Sequence, residues 1–282
     1  MNLLFYVIAS KSFFILLTKV IIPKTCSQYL KHEKLSENQK SEFALRMSSN
    51  FHAILVSCIC LYLILFDETI RTDPVWGYSE LVATNLTITV GFLLADLLVM
   101  SSSFEAAGGS WTLCFHHVGS IYAYSLAIRN GVLLYFANFR LLAEISTPFV
   151  NARWCLATLN MKDNKLYFIN GVLMAAVFFL CRIAIMPFFY YMAWQVISTE
   201  SYQRVSFPIH VSWLGICLML DVFNCIWFDK MVRGALKHLN YVKGRSTSMS
   251  LVTNGRDVHC NRNGEQAKGL NGAFQHSGIK SE

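Results

Sequence analysis

Two adjacent histidines, His116 and His117, follow Asp96 across a short connection, and all three stand in stretches that are otherwise apolar. A carboxylate that accepts a hydrogen bond from one imidazole nitrogen fixes the tautomer and makes the other nitrogen a better base. The trio therefore has the residue types of an acid–base group able to deprotonate an amine or a hydroxyl, with Asp96 as the orienting partner. Asn138, Arg140, Glu144, Arg182 and Asp221 stand in similar surroundings. Paired polar groups also hold membrane helices together, at about 0.6–2 kcal/mol each, so catalysis and interhelical bonding are both open readings of these residues. A metal is not expected, because adjacent residues on a helix point about 100° apart and no Cys/His set completes a tetrahedral site. No cofactor motif is present either.

The surroundings decide what must position these groups. Of 282 residues, 54% are hydrophobic and 15% charged, against about a quarter charged in an ordinary soluble domain. A membrane span takes about 20 mainly apolar residues, and seven stretches qualify: 3–22, 47–66, 82–100, 111–128, 131–152, 166–191 and 205–229. The expected fold is all-α, a polytopic membrane bundle of about seven transmembrane helices. Each ionisable residue inside such a span is expensive and marks a functional position. Asp96 and His116 each lie a few residues from the connection between the third and fourth spans. At 1.5 Å per residue both fall within roughly 10 Å of one membrane surface, where adjacent helices can bring them together. Arg140 and Glu144, four apart, are expected to pair along one helical face, with Pro148 bending or ending that helix. Asp221 and Asn224 share a face of the last span. Arg182 is placed nearer the opposite surface, snorkelling or pairing alone.

The net charge of +7 gathers in a few connections, which reads as membrane topology and not as a nucleic-acid face. Lys24, Lys31, Lys34, Lys40 and Arg46, then Arg153, Lys162 and Lys165, then the tail from Lys230, all fall on one side if there are seven spans. The opposite side has only Arg71, Arg129 and Arg204. The positive-inside rule then puts the amino terminus in the lumen and the tail in the cytoplasm. The first span is expected to be a retained anchor, since Lys11 and Lys19 interrupt it and no small-residue cleavage site follows. The nine cysteines lack paired metal-type spacing, and reduced thiols are expected. Asn85-Leu86-Thr87 is a glycosylation acceptor pattern too close to the bilayer to be used. The organisation expected is an N-terminal transmembrane helix and basic cytoplasmic linker over 1–40, a membrane domain over 41–243, and a disordered cytoplasmic tail over 244–282.

One constellation resembles a known family. Gly91-Phe92 with Asp96, His116-His117 with Ser120, Asn130-Gly131, and the run from Asn138-Phe139-Arg140-Leu141-Leu142-Ala143-Glu144 through Pro148-Phe149-Val150-Asn151 and Arg153-Trp154 look like a TLC domain. Upstream, Phe66-Asp67-Glu68 and Asp73-Pro74-Val75-Trp76-Gly77 agree. That family includes the ceramide synthases, and the resemblance implies a six-helix core over roughly 41–243 plus the N-terminal helix, in the endoplasmic reticulum. In ceramide synthases a His-Asp and a second Asp follow the double histidine on the next helix and serve acyl transfer from acyl-CoA to a sphingoid base. At that spacing this chain has Asn138, Phe139 and Leu142.

Two functions follow as expectations. The first is a lipid-binding protein with a part in lipid homeostasis or membrane lipid composition, its intramembrane cavity carrying Asn138, Arg140, Glu144 and Asp221 as a polar cluster. The second is an acyl-CoA-dependent N-acyltransferase using His116 or His117 as base. The missing carboxylates favour the first. The partners expected are membrane lipids, with fatty acyl-CoA or a sphingoid base in the second case and no nucleic acid in either.

Overall fold

The computed structural model describes residues 3–26, 35–101 and 111–259, with side chains as far as Leu236. Among the described residues all regular structure is helical. Seven long helical segments follow one another: α1 (Leu4–Thr25), α2 (Glu37–Phe66), α3 (Glu80–Ser101), α4 (Trp111–Asn130), α5 (134–158), α6 (Lys165–Ile197) and α7 (Phe207–His259). Two compact units divide the chain, Met1–Arg233 and Gly234–Glu282; the packing described below belongs to the first. In the second, the backbone of α7 stays helical to His259, within the stretch expected to be disordered, and no proline stands after Pro208 to interrupt it.

By length and composition, α1, α2, α3, α6 and the first part of α7 (Phe207–Leu236) can cross a membrane. The fold is an all-α polytopic membrane bundle. α4 and α5 are less apolar because they carry the histidines, Asn138, Arg140 and Glu144. α5 compensates by lying inside: Leu134 and Phe136 are 0% exposed and Leu141 is 1% exposed. The ring of Phe136 sits 5.7 Å from that of Phe189 on α6 and 5.0 Å from that of Trp213 on α7. Around them close Val56, Cys60 and Leu63 of α2 and Val82, Leu86 and Val90 of α3. Because lipid is as apolar as these side chains, close van der Waals packing and interhelical hydrogen bonds hold such a bundle together.

Cross-links between connections fix how the helices alternate. Leu133 N–H, in the α4–α5 turn, donates to Val75 O at 2.7 Å, and Trp76 Nε1 donates to Ser201 O at 2.7 Å. The connections after α2, α4 and α6 therefore lie at one end of the bundle. At the other end, Arg46 of α2 donates to Asn151 of α5 at 3.0 Å, and Arg153 donates to Tyr167 O of α6 at 3.2 Å. This second end carries Lys24, Arg46, Arg153, Lys162, Lys165 and Lys230 and is called the basic end here.

Local chemistry explains the departures from the expected boundaries. α2 begins ten residues before the apolar stretch because Ser36 and Gln39 form a capping box: Gln39 N–H donates to Ser36 Oγ, and Ser36 N–H donates to Gln39 Oε1. A hydropathy count sees only the apolar part of that helix. α5 changes winding at mid-length, from α over Leu134–Arg140 to 3-10 over Leu141–Ser146 and back to α from Thr147. Pro148 falls in the first turn after the change, where its missing N–H is tolerated, so the helix continues instead of ending. α6 has a wide π turn over Phe179–Ala184. α1 packs along α3, where Ser10 Oγ donates to Ile88 O at 3.0 Å and lies against Gly91. Phe14, 2% exposed, meets the ring of Phe92 at 5.1 Å. The described cysteines are free thiols. Asn85 is 0% exposed, which closes that position to a glycan.

Candidate functional site

At the basic end the helices diverge around a cavity of about 460 Å³. Glu42, Arg46 and Ser49 of α2, Phe92 and Asp96 of α3, His116 and His117 of α4, Glu144 and Val150 of α5, Arg182 of α6, and Trp227 and Lys230 of α7 line it. Leu93, Met100, Leu113, Phe178 and Met231 supply apolar wall. Its size falls in the range of about 300–1,000 Å³ typical of small-molecule sites.

The two histidines have different neighbours, as adjacent helical residues must. His117 is 5% exposed and faces α3, with Nε2 2.9 Å from Asp96 Oδ2. Its Nδ1 lies 2.8 Å from Leu113 O, one turn back on its own helix. A carbonyl only accepts, so Nδ1 carries a hydrogen, and the second ring position is shared with the aspartate. Neither nitrogen keeps a lone pair for a substrate. His116 instead sits 5.4 Å from the ring of Trp227, and its buried Nδ1 has no hydrogen-bond partner among the described residues. Of the two, His116 is the histidine free to meet a bound molecule.

Glu144 reaches the cavity from the 3-10 turn, with one oxygen accepting from Thr147 Oγ1 at 2.9 Å. It does not pair with Arg140. In an α-helix residues four apart share a face, whereas three residues per turn put them about 120° apart, and the over-wound stretch starts directly after Arg140. Arg140 turns away to Asp221 on α7 at 2.5 Å, where Tyr190 of α6 donates to the other carboxylate oxygen at 2.7 Å. This ion pair lies apart from the cavity lining. So does Asn138, which is 0% exposed and accepts from Asn85 Nδ2 at 3.1 Å. Of the expected cluster of Asn138, Arg140, Glu144 and Asp221, Glu144 alone lines the cavity.

Arg182 does not snorkel. It is 9% exposed and donates through Nε to Ser146 Oγ at 2.9 Å and Ala143 O at 3.1 Å, and through Nη1 to Asn224 at 3.1 Å. The guanidinium, carried by the π turn of α6, thus meets the 3-10 segment of α5 at Ala143 O and Ser146 Oγ. Arg46 is held by Glu42, by Asn151 and by the face of Trp154 at 4.7 Å. The inward roles of Arg46 and Arg182 depend on helix phase and were not legible as cavity positions. His52, an ionisable residue inside 47–66, meets the same sequence criterion as the others.

Comparison with known proteins gives a consistent picture. A family model described as TLC domain matches residues 42–233. TLC domain-containing protein 4-B of Danio rerio is 39% identical over 78% of this chain and 84% of its own length. TLC domain-containing protein 4 of Homo sapiens is 40% identical over 77% of this chain and 82% of its own. TLC domain-containing protein 2 of Danio rerio is more distant, 23% identical over 63% and 68%. No solved structure matches.

Proposed function

The chain belongs to the TLC domain family, and from that premise we propose that it binds an amphipathic lipid in the cavity at its basic end and acts in membrane lipid homeostasis, in the endoplasmic reticulum, without transferring an acyl group. The observation that carries this reading is the cavity wall itself. Phe92, Leu93, Met100, Phe178 and Trp227 offer a surface for hydrocarbon, while Glu144, His116 and Lys230 offer polar groups to a headgroup. Within this reading the basic end faces the cytoplasm, by the skew of Lys and Arg.

Two features weigh against the acyltransferase alternative. Asn138, Phe139 and Leu142, at the spacing where ceramide synthases carry acids, are 0%, 5% and 9% exposed and lie outside the cavity lining. His117 has both ring nitrogens engaged, which leaves it no basic site for a substrate proton.

Purified protein analysed by native mass spectrometry tests this. A bound lipid is expected, retained when His116 and His117 are both replaced by Gln, because amides still donate and accept hydrogen bonds. Val150→Trp, which fills the cavity, is expected to lose it. No ceramide is expected when the protein is given acyl-CoA and sphinganine. Ceramide formation that disappears in His116→Gln would establish the acyltransferase instead.

A further inference from the structure

The cavity is lined by three carboxylates, Glu42, Asp96 and Glu144, and by three side chains of fixed positive charge, Arg46, Arg182 and Lys230. Each carboxylate is already compensated. Glu42 holds Arg46. Asp96 shares a proton with His117, whose other ring nitrogen keeps its own hydrogen for Leu113 O. Glu144 reaches Arg182 through Thr147, whose Oγ1 accepts from Nη2 at 3.5 Å and donates to Oε2 at 2.9 Å. Lys230 is exposed and keeps its charge in water. The walls are therefore balanced, and a headgroup of net charge would bring in an uncompensated ion where solvent is largely excluded, which is costly.

Balance of charge is not saturation of hydrogen bonds. Asp96 uses Oδ2 and Glu144 uses Oε2, and the second oxygen of each has no hydrogen-bond partner among the described residues. The Asp96 side chain keeps 16% of its surface exposed. By contrast, all three nitrogens of Arg46 and all three of Arg182 donate to protein atoms. The walls thus have acceptors to spare and call for a donor. His116 adds a ring whose Nδ1 is sealed, so a guest meets it through Nε2. A phosphate offers acceptors to walls that want donors, and an ammonium brings donors together with a charge. Hydroxyls donate to carboxylates and exchange hydrogen bonds with an imidazole while adding no charge.

We propose that the cavity selects a lipid whose headgroup is uncharged and carries more than one hydroxyl, the chemistry of a monoacylglycerol, with Asp96 Oδ1 and Glu144 Oε1 as its acceptors. This rests on the lipid reading of the cavity given above and narrows it.

Native mass spectrometry of the full chain tests the selectivity with probes of one chain length: 1-oleoylglycerol, oleylamine, 1-oleoyl lysophosphatidic acid and 1-oleoyl lysophosphatidylcholine, offered in equal amounts. Cavity binding is the part lost in Val150→Trp. Oleoylglycerol is expected to exceed each of the others by about tenfold or more, since hydrogen bonds to ionised acceptors are the strong ones. Glu144→Gln removes an acceptor and leaves Arg182 unbalanced, so it should weaken oleoylglycerol by about tenfold and strengthen lysophosphatidic acid. Asp96→Asn also removes an acceptor, but His117 gives up the shared proton with it, so oleoylglycerol weakens with no gain for the anion. Equal or tighter binding of any other probe, or an unchanged preference in Glu144→Gln, overturns the selectivity and leaves the lipid reading standing. Retention of no probe at all overturns both.

Discussion

Replacing Asp221 by Leu leaves the guanidinium of Arg140 without its carboxylate at a depth where solvent cannot take over. The side chains of the pair are only 12% and 9% exposed and lie 2.5 Å apart. Removing one partner of a buried pair costs about 3–5 kcal/mol. Two terms reduce that here. Arg140 keeps the face of Phe189, 5.1 Å from its ring, a contact of roughly 1–2 kcal/mol when desolvated. The unfolded helices in a membrane also find polar partners. The expected loss is therefore about 2–4 kcal/mol, smaller than the same change would cause in a soluble core. Arg140→Met combined with Asp221→Leu removes both charges and is expected to recover stability to within about 1 kcal/mol of the parent, apart from the Tyr190 hydroxyl left without its acceptor. Unfolding by increasing sodium dodecyl sulfate fraction in mixed micelles, followed by tryptophan fluorescence, measures all four members of the cycle. Trp213 packs 6.4 Å from Phe189 and reports on this layer. A coupling energy below about 0.5 kcal/mol, with the double variant as unstable as the summed singles, would refute the assignment of Arg140 and Asp221 as one buried unit.

A methyl group at Gly91 would meet the side chain of Ser10 and, at 2.8 Å, the backbone nitrogen of Lys11, so Gly91→Ala is expected to push α1 off α3 and cost about 1–3 kcal/mol. Faster proteolytic release of the first helix from the purified variant checks this, and unchanged release counts against close docking of α1. For orientation, protease added to sealed microsomes is expected to remove an epitope placed after Lys243 and to spare one placed at Met1. Protection of the tail epitope reverses the topology.

Much of the scaffold was legible because lipid imposes a coarse rule on sequence. Apolar runs of spanning length gave the order of the long helices, five of which are long and apolar enough to cross a membrane among the described residues, and the clustering of Lys and Arg picked out the end that holds Arg46, Arg153 and Lys230. The meeting of Asp96 with the histidine pair was legible for a similar reason, since both stand close to one short connection. Which histidine meets the aspartate was not, because that choice depends on the rotation of α4 against α3. Arg140 and Glu144 went astray on one assumption, that α5 is wound uniformly. Nothing in Leu141–Ser146 signals a 3-10 stretch by composition, and its partner, the π turn around Arg182, is equally silent. Tertiary packing selects such windings, and they decide which polar groups look into the cavity. The start of α2 is a different case: Ser36 with Gln39 three residues on is a readable signature, and a count of hydropathy alone overlooks it.

The wide turn in α6 sets an angular phase. Phe178 and Met174 precede it and face the basic half of the bundle, while Phe189 and Tyr190 follow it and meet Arg140 and Asp221 in the deeper half. A π turn holds one residue more than the α-helix around it, and each residue of an α-helix advances the azimuth by about 100°. Deleting a single residue from 179–184 would let the wide turn close to an ordinary α turn, so the second half would keep Tyr190 on the carboxylate and Phe189 on the guanidinium. The same deletion in the regular helix on either side would swing everything beyond it through more than a quarter of a revolution. In this helix the wide turn is the one place where a residue can be lost without a rotation.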